Sequence, residues 1–128
     1  MIDDIHLSPR VRVFIASYNH ASYISECLDS ILSQTYRDIE IIVVDDGSTD
    51  ESLEVVQDFR DKRIRIEQNA ENRGLIATLN AGLKIARGAL IARMDADDLS
   101  HPERFSAQTE YLDAHPDVAG VSCGYDLI

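Results

Sequence analysis

Apolar positions along the chain fall in short blocks with two alternating spacings. Val11-Arg12-Val13-Phe14-Ile15-Ala16 is β-branched and aromatic, which predicts a buried strand ending in polar Ser17-Tyr18-Asn19-His20. From Ile24, the residues Cys27, Leu28, Ile31 and Leu32 follow the stripe of a core-facing helix, with Ser22 as its cap. Ile39-Glu40-Ile41-Ile42-Val43-Val44 is a nearly continuous apolar run of the kind found in parallel strands covered on both faces. Ser48 and Glu51 form a capping box that opens a helix carrying Leu53, Val56 and Phe59. Ile64-Arg65-Ile66 predicts a third, short strand. Ile76, Leu79, Leu83 and Ala86 return to helical spacing, and Gly88 supplies a stop. Ala89 to Met94 predicts a fourth strand. Pro102 fits the first turn of a helix running through Phe105, Thr109 and Leu112 that Pro116 ends, and Val118 to Cys123 predicts a fifth strand.

Strand and helix in alternation predict right-handed βαβ units, hence an α/β fold with a mainly parallel sheet and flanking helices. The polar clusters Tyr18-Asn19-His20, Asp45-Asp46-Gly47 and Asp95-Ala96-Asp97-Asp98 each follow the carboxyl end of a predicted strand. Ligands bind at that rim in open α/β sheets, so the three loops are expected to converge on one crevice.

The length, 128 residues, suits one core, read here as a domain over residues 11–128 preceded by an extension over 1–10. With 45% hydrophobic and 27% charged residues the composition is that of a globular chain. A formal net charge of −11 excludes binding a nucleic-acid backbone through a basic surface, but leaves room for one small anion beside a metal or local donors. No apolar run is long enough to span a bilayer, and Met1 to Ser8 lacks the basic start and apolar centre of a secretory signal, so a cytoplasmic location is expected. Cys27 and Cys123 lie far apart in apolar surroundings and are expected to be buried free thiols.

Asp45-Asp46-Gly47-Ser48 reads equally as a turn with a cap and as a ligand loop, but a turn does not require two carboxylates before the glycine. A carboxylate there can accept the imide N3–H of uracil or thymine, a donor that cytosine lacks. Tyr18 can be a half-buried core residue or stack on a base, and Asn19 can hydrogen-bond one. His20 reads as a solvated loop histidine, and His101 as structural. Asn72-Arg73-Gly74 is either a turn before a helix or a ligand-facing loop with Arg73 as its cation. Asp95, Asp97 and Asp98 put three carboxylates within four residues. Two such charges about 4 Å apart repel by roughly 4 kcal/mol at an effective dielectric of about 20. An extended chain would put Asp95 and Asp97 on one side, where a few hard oxygen ligands suit magnesium or manganese sharing a diphosphate.

Taken together, "SYN" at 17–19, "VVDDGSTD" at 43–50, "ENRG" at 71–74 and "MDADD" at 94–98 resemble the inverting nucleotide-sugar glycosyltransferases of family 2, which have a GT-A fold. The resemblance runs from about Val11 to the end of the chain. It implies a Rossmann-like nucleotide-binding half, with Asp46 on the base and Tyr18 against it, flanked by Ser17 and Asn19. It also implies that Asn72, Arg73 and Gly74 border the nucleotide, Asp95 lies near the ribose, and Asp97 binds Mn2+ or Mg2+, with Asp95 and secondarily Asp98 beside it.

The implied activity is transfer of a sugar from a nucleoside diphosphate, uridine diphosphate first, to an acceptor hydroxyl with inversion. Ala16 stands where members often have proline. Members also continue into an acceptor-binding half that supplies the general base, and no residue here matches that base. Nucleotide binding with little or no transfer is therefore expected. An uncovered sheet edge would let two copies pair as a homodimer, and a longer protein would admit membrane association.

Three rivals fit less well. A sugar nucleotidyltransferase would carry a glycine-rich loop after the first strand, where Ser17 to His20 stand. An EF-hand beginning at Asp95 would need Gly and Glu where Ser100 and Ser106 stand, and a phospho-receiver would need its acidic pair after the first strand. A nucleotide-binding module without turnover remains the alternative.

Overall fold

The computed structural model describes residues 9–85 and 89–128. Within them, the strands β1 (Val11–Ser17), β2 (Ile39–Asp45), β3 (Ile64–Gln68) and β4 (Leu90–Asp95) alternate with the helices α1 (Ile24–Leu32), α2 (Ser52–Gln57), α3 (Leu75–Ile85) and α4 (Arg104–Ala114). The strands form one parallel sheet in the order β3-β2-β1-β4. β1 lies opposite β2 from Val11/Ile39 to Ser17/Asp45, and opposite β4 from Val11/Leu90 to Ala16/Asp95. That register brings Ser17, Asp45 and Asp95 to one rim. Strand order reverses between β1 and β4, and such a switch point opens a crevice at the carboxyl ends of its strands.

Both faces of the sheet are covered, which accounts for the unbroken apolar character of β1 and β2. Val13, Ile15, Ile41, Val43 and Met94 pack with Ile24, Cys27, Leu28 and Ile31 of α1, Val56 of α2 and Phe105 of α4. Phe14, Ile42 and Val44 turn to the other face, against Leu79 and Ile85 of α3. The helices of the two crossovers from β1 to β2 and β2 to β3 thus share one face, and the β3-to-β4 crossover takes the opposite one. Right-handed connections to strands added on either side of β1 require that arrangement. A Cβ at Gly82 would lie 1.8 Å from Cε2 of Phe14, so α3 reaches its distance from β1 because no side chain stands there.

Several local expectations are corrected. Val118–Cys123 is not a strand. Val118 and Val121 are three residues apart and cannot both face one side of a pleated chain, and Gly120 adds no packing. Cys123 is accordingly exposed, whereas Cys27 is buried as expected. Neither predicted N-cap forms. Tyr23 precedes α1 without a side-chain cap, the turn there being closed by Tyr23 N–H and Ile24 N–H donating to His20 O. Helix α2 starts at Ser52, and Asp50 rather than Ser48 accepts the Ser52 N–H, at 2.9 Å. Phe59 lies past the end of α2 but still packs on the core. Ala86 and the predicted stop at Gly88 lie outside the described residues. Among the described residues, no helix is long and apolar enough to cross a membrane.

Candidate functional site

At the carboxyl rim, a cavity of about 410 Å3 opens between the ends of β1 and β2 and the start of α3. Ala16, Ser17, Tyr18 and His20 line one side, and Asp46, Asn72, Gly74, Leu75 and Thr78 the other. Tyr18 is 42% exposed, which leaves its ring available to a planar ligand. Ser17 is buried and its hydroxyl has no partner in the protein. Five of the expected residues therefore meet here: Ser17, Tyr18, Asp46, Asn72 and Gly74.

Asp46 organises this wall. Although only 4% exposed, it accepts from Asn69 Nδ2 at 2.8 Å and Arg73 N–H at 2.9 Å on Oδ1, and from Gly74 N–H at 2.9 Å on Oδ2. Its own N–H donates to Ser17 O, and its carbonyl accepts from Asn72 Nδ2. Burial opposes its ionisation. Donation from the Arg73 amide, the Asn69 side chain and the Gly74 amide outweighs burial, and holds the carboxyl below the usual carboxylate range. Asn72-Arg73-Gly74 is thus at once the turn that starts α3 and a wall of the cavity. The Arg73 side chain is exposed, and its contribution to the wall is its backbone. Gly47, at φ 74°, makes the approach of this loop feasible, since a Cβ there would lie 2.7 Å from Asn72 N.

Asn19 does not line the cavity. In a left-handed conformation (φ 54°), it ties the loop after β1 to the loop after β2. Its N–H donates to Ser48 Oγ, and its Oδ1 accepts from Thr49 N–H at 2.8 Å and Asp50 N–H at 3.3 Å. His20, expected in solvent, faces the cavity instead, and its Nδ1 accepts from Tyr18 N–H at 3.2 Å. Its neutral form then carries the ring proton on Nε2.

The acidic loop is built differently. The chain does not stay extended through Asp97: β4 ends at Asp95, and Asp98 N–H donates to Asp95 O in a turn, so the predicted strand-like alternation of Asp95 and Asp97 is replaced. All three aspartates are exposed. Partial desolvation pushes the Asp98 carboxyl up, and the charges of Asp95 and Asp97 push it further, while Arg104 acts against both. Arg93 offsets Asp95 only through a solvent-exposed pair at 3.4 Å. Among the described residues, no three His, Cys, Asp or Glu side chains form a preformed metal cluster. One or two hard carboxylate oxygens in a field of like charge that these arginines offset only in part fit a cation that draws its remaining ligands from water and a diphosphate. Asp97 and Asp95 would hold such a cation.

This loop is anchored to α1 and the segment after it. Cys27 Sγ donates to Asp95 O, Ser30 Oγ accepts from Ser100 N–H, and the buried Gln34 spans the exit of the loop. Gln34 Nε2 donates to His101 O at 2.6 Å, and its Oε1 accepts from Phe105 N–H at 3.1 Å. Asn69, Thr78, Leu75, His20 and Gln34 were not anticipated. The strand-end rule that marked the other clusters also covers Asn69, one residue past β3, whereas no pattern in the sequence marks Gln34 as the anchor of a loop more than sixty residues away.

Comparison with known proteins agrees with this geometry. An uncharacterized glycosyltransferase of Haemophilus influenzae is 39% identical over 122 residues, covering 94% of this chain and 38% of its own length. The chondroitin synthase of Pasteurella multocida is 40% identical over 101 residues, 77% of this chain and 10% of that protein. The chain thus spans well under half the length of these relatives. Among solved structures, S. aureus TarS 1-349 in complex with UDP-GlcNAc superposes with a TM-score of 0.79 at 32% identity, over 84% of this chain and 32% of that one. A mannosyltransferase from Pyrobaculum calidifontis in complex with GDP-Man and Mn2+ gives 0.75 at 32% identity, over 82% and 32%. The family model for glycosyl transferase family 2 matches residues 12–126, and with the parallel GT-A sheet and its rim cavity in place, the chain belongs to that family.

Proposed function

We propose that this chain binds the nucleoside-diphosphate sugar donor of an inverting, metal-assisted glycosyltransferase, with uridine diphosphate as the preferred nucleotide. One observation carries the reading: a buried carboxylate kept anionic by the protein, lining a cavity at the rim of the sheet. A carboxylate offers about four acceptor directions. Asn69, Arg73 and Gly74 take three, and the one left, on Oδ2 of Asp46, suits a ring N–H. Uracil N3–H meets that requirement, whereas cytosine presents a lone pair there. Structural relatives bound to UDP, UDP-GlcNAc and GDP-Man support a nucleotide donor, and guanine also carries a ring N–H at N1.

In this reading Tyr18 lies against the base, while Ser17, Asn72 and Gly74 close the cavity around it. Asp95 and Asp97 hold Mn2+ or Mg2+ at the diphosphate, and Asn19 keeps the first two loops in register. Such a cation supplies Lewis-acid stabilisation of the leaving diphosphate. Transfer also needs a base at the acceptor hydroxyl. We assign donor binding rather than turnover to these residues.

Calorimetric titration of uridine diphosphate, with and without manganese, into the chain and its Asp97→Ala variant tests the reading. Binding that strengthens with manganese and loses that dependence in the variant is expected. A folded parent that binds no uridine diphosphate with manganese present would overturn it.

A further inference from the structure

We infer that Asn69 is a positioning residue for nucleotide recognition: it transfers the geometry of the sheet to the Asp46 carboxylate and so sets which base the cavity accepts. The inference rests on the nucleotide-binding reading above. Two of the three donors to Asp46 are the amides of Arg73 and Gly74, which belong to the loop that Asp46 itself holds in place. They follow the carboxylate rather than fix it. Asn69 is anchored independently, because its N–H donates to Asp45 O at 2.8 Å, one residue beyond the paired end of β3.

The side-chain amide then divides its two hydrogens. One goes to Asp46 Oδ1 at 2.8 Å, and the other to Thr78 Oγ1 at 3.3 Å on the cavity wall. Thr78 is fully buried in α3, so the amide is held between a strand end and a helix. Two donors on one planar group suit this position, where both partners are acceptors. Alanine supplies neither donor. An aspartate would place a second anion against Asp46.

Without Asn69, Asp46 can turn with its loop, and the acceptor left on Oδ2 loses its fixed direction toward the cavity. The expected effect is on discrimination more than on binding as such. A ring N–H that gains a directed, charged acceptor is favoured by about tenfold or more, and that factor is what the substitution removes.

Uridine diphosphate and cytidine diphosphate are titrated, with manganese present, into the parent, Asn69→Ala and Thr78→Val. The parent is expected to prefer the uridine nucleotide by about tenfold or more. In Asn69→Ala the ratio should fall toward one, mainly through weaker uridine binding, and Thr78→Val should move it the same way by less. A general loss of structure lowers both affinities without this change in their ratio. Asn69→Ala with the parent's ratio overturns the inference. If that variant does not fold, an unchanged ratio in Thr78→Val does so. A parent that binds both nucleotides equally also overturns it while leaving nucleotide binding intact. A parent that binds neither removes the functional reading and this inference with it.

Discussion

Replacing Asp46 with asparagine changes one atom and removes one charge, and the hydrogen-bond geometry sets what this should cost. If the amide oxygen takes the Oδ1 position, it still accepts from Asn69 and Arg73, but as a neutral acceptor, roughly half as strong as a carboxylate. The new NH2 group then faces the Gly74 N–H, so two donors meet at a buried site. An unsatisfied buried donor costs about 1–3 kcal/mol, and weakening of the two remaining bonds brings the total to about 2–4 kcal/mol. For a chain of this size, that lowers the melting temperature by about 10 °C.

The loss should also depend on pH. The folded Asp46 carboxyl titrates below its unfolded value of about 3.9. Its contribution is therefore fully present above that value, and disappears as pH falls through the folded one. Asp50, Asp61 and Asp113, whose carboxyls are also held low, destabilise parent and variant alike in acid and cancel in the comparison. Urea unfolding of parent and Asp46→Asn at pH 7 and near pH 3 measures the effect. The stability gap should be wide at neutral pH and narrower near pH 3. A gap below about 0.5 kcal/mol at pH 7, or one unchanged in acid, refutes the argument that this anion holds the loop.

Further outcomes follow from other sites. Gln34→Leu leaves the Phe105 N–H without a partner and takes one of two donors from the His101 carbonyl, which keeps the Arg104 N–H, at the entry to α4; it should cost about 1–3 kcal/mol in urea unfolding and weaken manganese-dependent nucleotide binding. Gly82→Ala forces a methyl group against the Phe14 ring, with an expected cost of about 1–3 kcal/mol that Phe14→Leu in the same chain should partly recover, as a double-mutant cycle would show. Burial, with the charges of Asp98, Asp97 and Asp95 adding to it, pushes the Cys27 thiol up to about 12, while Cys123 is exposed. Iodoacetamide at pH 8 should therefore add one label per native chain, at Cys123, and two after unfolding, as mass spectrometry would read.

The sheet was legible in the sequence because its strands are buried on both faces. Val11–Ala16 and Ile39–Val44 carry that demand as unbroken apolar runs, and the structure extends each by one polar residue, Ser17 and Asp45. The rim clusters were legible for the same reason, since polar residues ending a buried strand must lie outside the core. Caps were less so: Ser48 has the side chain and spacing of an N-cap, but Asn19 from another loop takes its hydroxyl as acceptor. Such competition between local and distant partners leaves no trace in spacing. The turn at Asp95–Asp98 is not legible in the spacing for a related reason, because its geometry depends on the contacts of Cys27, Ser30 and Gln34 with the chain around it. The final segment is the converse case: Val118 to Cys123 suggests a strand, but the three-residue spacing of its valines gives no common pleated face.

The rim is supported from two directions. Asn19, Asp46 and Asn69 knit together the loops after β1, β2 and β3, while the loop after β4 hangs on α1 and Gln34; among the described residues, no side-chain hydrogen bond joins the two sets. The site is consequently modular. Substitutions that redesign the base cleft should leave the acidic loop undisturbed, and the free-energy effects of one from each set should add. A lineage could exchange one nucleobase for another without rebuilding the part that faces the diphosphate, and vary the acidic loop without losing its nucleotide. For a protein engineer, the sheet is a common chassis on which the two recognition elements can be tuned one at a time.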